Sequence, residues 1–129
     1  MAERSAEHAI WMVERYALAA TEGRVDDIAA CFAENAELRD PFDGPTVAGR
    51  DAIRAFFQAG AHMIDRLAVN GPIRITGDAA SAAAPMIAEV NMNGTKLEMD
   101  TIDVFFFGDD GLFRAMHAFY GPSNVRPKG

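Results

Sequence analysis

"TIDVFFFGDDGLFRAMHAFYG", residues 101–121, holds the pattern on which the fold turns. Two runs rich in aromatic and β-branched residues flank "GDDG", a turn signal, so the stretch reads as a hairpin of two antiparallel strands. With Phe107 opposite Leu112, Asp103 faces Met116, and Tyr120 lies on the same face because side chains alternate along a strand. Just upstream, "NMNGT" carries Asn93 and Gly94, a pair suited to the two central positions of a tight hairpin turn. That turn sets Asp103 opposite Ala84, Thr101 opposite Met86 and Met99 opposite Ala88. Asp103 is thereby flanked by Ala84 and Met116 in an apolar patch. A carboxylate desolvated there without a cation prefers its neutral form, and a protonated carboxyl is a hydrogen-bond donor.

The other face of these strands carries Ile102, Val104 and Phe106 beside Phe113, Ala115, His117 and Phe119. An antiparallel sheet commonly leaves one face polar and wet, whereas here both are apolar. With helices over one face, a second subunit packed sheet against sheet is the expected cover of the other, giving a homodimer.

The helices come first in the chain. From Ala6 to Glu22, Ala9, Met12, Val13, Tyr16, Ala17 and Ala20 recur at three- and four-residue spacing, and the stripe ends at Gly23. "VDDIAACFAENA" predicts a second, short helix with its acidic residues in the first turn, where the helix dipole favours them. "GRDAIRAFFQAGAHMI" predicts a third, with Ile53, Phe56 and Phe57 inward. After Leu67 the texture changes to β-branched and alanine-rich segments cut by "NGP", "TGD", "NMNGT" and "FGDDG". Helices followed by a run of antiparallel strands imply an α+β fold in a single domain spanning residues 1–129.

Composition restricts function. The formal net charge of −7 and only 12 Lys and Arg residues argue against a nucleic-acid partner, which needs a cationic surface, and against a polyanionic substrate. At 50% hydrophobic residues, a chain of this length can bury a core with room for a small pocket. Cys31 stands alone beside Ile28 and Phe32 and reads as core. The amino-terminal "MAERSAEHAI" is broken by charges, so neither a signal peptide nor a membrane span is expected, and the cytoplasm is the expected compartment. His8, His62 and His117 lack metal-ligand spacing, so no metal site is expected. "SNVRPKG" at the carboxyl end reads as a frayed tail.

Asp40 stands out in "AELRDPFDGP", residues 36–45. The residue before a proline is pushed out of the helical region, which fixes the backbone of Asp40 and aims its carboxylate. Such a residue serves as a turn-former or as a positioned base. Asp43, its rival, is placed in the turn by the following Gly-Pro. Tyr16, on the buried stripe of the first helix, sends a phenol inward where its hydroxyl must find a partner. Singly, each of Tyr16, Asp40 and Asp103 fits an ordinary core, turn or strand role; the three together suggest a site.

"RYALAATEGRVDDIAACFAENAELRDP", followed by "GRDAIRAFF" and "TIDVFFFGDDGLFRAMHAFYG", resembles the bacterial Δ5-3-ketosteroid isomerases of the NTF2-like superfamily over nearly the whole chain. The resemblance implies a cone-like α+β fold, three helices packed on a curved antiparallel sheet around a deep apolar pocket, a homodimer, and no cofactor. It implies Asp40 as general base and Tyr16 with protonated Asp103 as the oxyanion hole. Met86, Ala88, Val90, Met99, Met116 and Tyr120 are the expected pocket lining, from their shared strand face and from the resemblance. Where some family members carry tyrosines that support the catalytic one, this chain has Phe32 and Phe57. The remaining alternatives are another NTF2-like enzyme, such as a cyclase, dehydratase or hydrolase, and a non-catalytic ligand carrier.

Overall fold

The computed structural model describes residues 4–129. Helix α1 spans Ala6–Glu22. Its N-cap Ser5 accepts a hydrogen bond from the His8 N–H, and Gly23, at φ 69°, ends it in the left-handed conformation that glycine adopts most cheaply. The stripe from Ala9 to Ala20 is buried as its spacing requires. Helix α2 covers Val25–Ala30, α3 covers Arg50–Gly60, and a 3-10 turn follows at Ala61–Met63. None of the helices among the described residues is long and apolar enough to cross a membrane.

The strands are β1 (Phe32–Arg39), β2 (Val47–Ala48), β3 (Ile64–Val69), β4 (Arg74–Ile75), β5 (Ser81–Met92), β6 (Thr95–Phe107), β7 (Phe113–Phe119) and β8 (Val125–Pro127). They form an open sheet in the order β2-β1-β7-β6-β5-β3, with β4 paired to β5 and β8 to β6. The α+β class is as expected, but the sheet is mixed: β1 runs parallel to β7. Along β5 every second residue is buried, and Ala82, Ala84 and Ala88 lie on that inner face. Ala82 and Ala84 pack into the core, whereas Ala88 borders open volume beneath the helices that a larger side chain would fill.

The β5–β6 hairpin has the expected register, with Ala84 opposite Asp103, Met86 opposite Thr101 and Ala88 opposite Met99. Asn93 and Gly94 both take positive φ, 55° and 94°, as the tight turn demands. The next hairpin is displaced by two residues. Asp103 faces Ala118, and Met116 instead faces Phe105. The connection is longer than a tight "GDDG" turn, closed by a Gly108 N–H donating to the Leu112 carbonyl, and a bulge between Phe106 and Phe107 shifts the pairing. The bulge also turns Phe113 into the core, away from the outer face where simple alternation puts it.

Three further expectations need correction. Helix α2 stops at Ala30, and "FAENA" enters β1, because Phe32 packs edge-on against Phe113 at 5.2 Å and the Phe113 N–H bonds to the Cys31 carbonyl. Pairing with β7 overrides the helix propensity of Ala and Glu. The third helix ends at Gly60, and Ile64 already belongs to β3. Nor is the carboxyl end a frayed tail. Val125 pairs with Met99, while Arg126 binds Asp100 and Lys128 binds Glu89.

The outer face keeps Ile102 and Phe119 each 44% exposed. Phe42 stacks on Phe119 at 4.7 Å, and Phe106 and Phe42 flank His117, each at 5.2 Å.

Candidate active site

Between the helices and the inner face of the sheet lies a cavity of about 440 Å³, within the range of small-molecule sites. Tyr16, Asp40 and Asp103 all reach it, from α1, from the end of β1 and from β6. Ala88, Val90, Met99 and Tyr120 line it as expected, whereas Met86 and Met116 do not. Both methionines are enclosed in the core, two residues deeper along their strands than Ala88 and Ala118, which form the wall in their place. Helix α3 and the turn after it supply Phe56, Phe57 and Met63 on the other side.

Asp40 follows the last residue of β1, and its peptide bond to Pro41 is cis. The Phe42 N–H donates to the Ala118 carbonyl at 2.8 Å, tying the chain after Asp40 to β7. That tie brings Asp40 beside Tyr120, whose hydroxyl donates to Asp40 Oδ1 at 2.7 Å. Burial pushes the Asp40 carboxyl above its ordinary range, and the Tyr120 bond opposes the rise. Asp43 lies outside the cavity, in a turn closed by the Gly44 N–H on the Pro41 carbonyl, and faces an outer cleft with Pro122 and Val125.

Asp103 is 3% exposed, and burial, reinforced by the negative charge of Asp40, pushes its carboxyl up to about 8. Thr101 donates to its Oδ1 at 3.1 Å and opposes that rise. At neutral pH Asp103 is therefore a neutral donor, while Asp40, whose carboxylate accepts from Tyr120, is the group that ionises first. Thr101 was not among the expected site residues, although its place two residues before Asp103, on the same strand face, was the signal for it.

Tyr16 is 2% exposed. Its ring sits edge-on among Phe32, Phe57, Phe105 and Phe113, at centroid distances of 6.4, 5.9, 5.7 and 6.2 Å. Among the described residues no side chain or carbonyl is hydrogen-bonded to its hydroxyl, yet no fully buried polar side-chain atom is left unpartnered, so the hydroxyl is open to the cavity. Burial, then the charges of Asp103 and Asp40, hold its phenol well above the ordinary value, so it too is neutral. Phe32 and Phe57 flank it without hydroxyls of their own. Cys31 is enclosed, and burial pushes its thiol up to about 11, which makes it inert core.

The cavity thus combines one ionisable carboxylate and two neutral donors, with the hydroxyls of Thr101 and Tyr120 turned to the two carboxyls, in a wall that is otherwise largely apolar; among the described residues no Lys, Arg or His lines it. Among the described residues no group of three or more His, Cys, Asp or Glu is placed to hold a metal ion. Such a site can remove a proton from a small apolar molecule and stabilise the oxyanion that results.

A helix-covered open sheet around an acid–base pocket defines a class of small α+β proteins. Residues 13–116 match the SnoaL-like domain family, and the chain belongs to that family. It is 31% identical over 115 residues to a steroid Delta-isomerase of Nocardioides simplex, covering 88% of this chain and 89% of that protein. Among solved structures it is similar to the epoxide hydrolase/cyclase-like enzyme SalBIII, which has a role in pyran ring formation in the polyether salinomycin. The TM-score is 0.88 and the identity 25%, over 97% of this chain and 99% of the other.

Proposed function

We propose that the protein is a steroid Δ-isomerase that converts 3-oxo-Δ5-steroids to 3-oxo-Δ4-steroids. Asp40 removes a proton from C4, leaving a dienolate whose oxygen accepts hydrogen bonds from Tyr16 and protonated Asp103. Asp40 then returns the proton to C6, so the double bond moves into conjugation with no net gain or loss of atoms or electrons. Pairing a carboxylate base with a tyrosine and a protonated acid is the established pattern of ketosteroid isomerases themselves, and it is carried to these residues by position. The observation that carries the reading is the meeting of Tyr16, Asp40 and Asp103 in one apolar cavity, with Asp103 pushed up to about 8.

The residue types suit the chemistry. A carboxylate in a dry pocket can hold a proton briefly and keep it from exchanging with water before handing it back. Neutral donors stabilise charge as it develops without binding the intermediate too tightly, and each contributes on the order of a hundred- to a thousand-fold in rate. The same reading makes the protein a cytoplasmic homodimer that needs no cofactor, with Ile102, Phe119 and the stacked Phe42 buried between two outer sheet faces.

The test is the absorbance of the conjugated enone formed from 5-androstene-3,17-dione. Turnover by the wild type and its collapse in Asp40→Asn support the reading; a folded wild type that binds the steroid without turning it over refutes it. The likeness to SalBIII favours a second reading, an acid–base ring-forming or epoxide-opening enzyme using the same carboxyls. Turnover of a hydroxy-epoxide in place of the steroid would mark that case.

A further inference from the structure

We propose that Tyr120 is a positioning residue for Asp40: its hydroxyl donates to Oδ1, keeps the carboxylate ionised inside the apolar cavity, and leaves the other oxygen to accept the substrate's proton. The inference deepens the isomerase reading and rests on Asp40 being the base.

The contact is short, 2.7 Å, as expected for a hydroxyl donating to a charged oxygen. The surroundings of Asp40 show why it matters. From α1 comes the neutral Tyr16, from β6 the neutral Asp103, and from α3 the rings of Phe56 and Phe57. Arg39, the neighbour in sequence, is directed elsewhere, its Nε donating to Thr46 and its guanidinium lying over Phe42. Glu37 and His117 pair with each other at 3.3 Å. Asp43 faces the outer cleft and adds only negative charge nearby. Among the described residues, then, no cation offsets the burial of Asp40, and Tyr120 is the side chain that donates to it.

Tyr120 is suited to that task in two further ways. Burial and the charge of Asp40 drive its own phenol upward, so it stays protonated and remains a donor. Its ring also lines both the cavity and the outer cleft, so it forms part of the wall between the base and the outside. Removing the hydroxyl alone leaves that wall in place.

The experiment follows the Asp40 carboxyl carbon by NMR against pH in ligand-free wild type and Tyr120→Phe, with Asp40→Asn to assign the signal. The midpoint should rise in Tyr120→Phe by about one to two pH units, the displacement that loss of a hydrogen bond to a charged oxygen brings. The acid limb of kcat/KM for the steroid should move up with it. Site-specific replacement of Tyr120 by a ring-fluorinated tyrosine, a stronger donor of the same shape, should move the midpoint the other way, and it serves where Tyr120→Phe does not fold. An unchanged midpoint, or a uniform loss of activity at every pH, overturns the proposal. A shifted midpoint in a protein that turns over no steroid supports the role of Tyr120 and refutes the isomerase reading separately.

Discussion

Asp103→Asn should make the protein more stable, and by an amount that depends on pH. In the unfolded chain this carboxyl titrates near 3.8, whereas in the fold it is pushed up to about 8. Between those values the folded state binds a proton that the unfolded state releases, so stability falls as pH rises. Each unit is worth about 1.4 kcal/mol, so at pH about 7 the three units travelled amount to roughly 4 kcal/mol. That is a large share of the roughly 5–15 kcal/mol that holds a typical domain together. An amide of the same shape avoids the cost, can still accept from Thr101, and keeps a donor toward the cavity. Urea unfolding of both proteins at a series of pH values measures the difference directly, and the slope m should be the same for each. The gain should be absent near pH 4, grow by about 1.4 kcal/mol per unit, and level off above about 8. A difference that stays constant across that window would mean that Asp103 titrates normally in the fold, and the neutral-donor assignment would be wrong.

Asp40→Asn should abolish turnover while leaving steroid binding at least as tight; an equal loss of both would point to a structural role, and no loss in a protein that only binds would point to a carrier. The pH profile of kcat/KM should be bell-shaped, falling on the acid side as Asp40 takes up a proton and on the alkaline side as Asp103 loses its own near 8, so a profile flat through that pH contradicts the assignment. Tyr16→Phe should lower kcat by about a hundred- to a thousand-fold with little change in stability, as kinetics and thermal melts on one preparation will show. Sedimentation of Phe119→Asp should reveal monomer if the outer face is a dimer interface, and an unchanged sedimentation coefficient for wild type and variant would refute that use of the face.

What the sequence disclosed, and what it hid, follows from how local each feature is. The β5–β6 register was legible because Asn93 and Gly94 fit a turn that demands positive φ at both central positions, and that turn aligned Asp103 with Ala84. The following hairpin was not, because "GDDG" permits several loop lengths and a bulge leaves no letter of its own; Asp103 consequently met Ala118, and Met116 fell behind the cavity wall. The α1 stripe, being periodic, was read to the residue. "FAENA" misled because its helix propensity is local, while its partner strand β7 lies some 80 residues away, as Glu37 beside His117 illustrates. Tyr16, Asp40 and Asp103 could be suspected singly from polar groups among apolar ones. The bond between Tyr120 and Asp40 could not, since it depends on the Phe42 N–H reaching the Ala118 carbonyl.

In the proposed reaction one buried carboxylate carries a proton from C4 to C6 of a steroid while Tyr16 and Asp103 hold the oxygen. A 3-oxo-Δ5-steroid deuterated at C4, converted in ordinary water and followed at once by enone absorbance and by label position, reports that transfer itself. Rapid conversion with deuterium appearing at C6 is the predicted result. Conversion no faster than in buffer, or a product whose C6 carries only solvent hydrogen, would rule out proton transfer by Asp40.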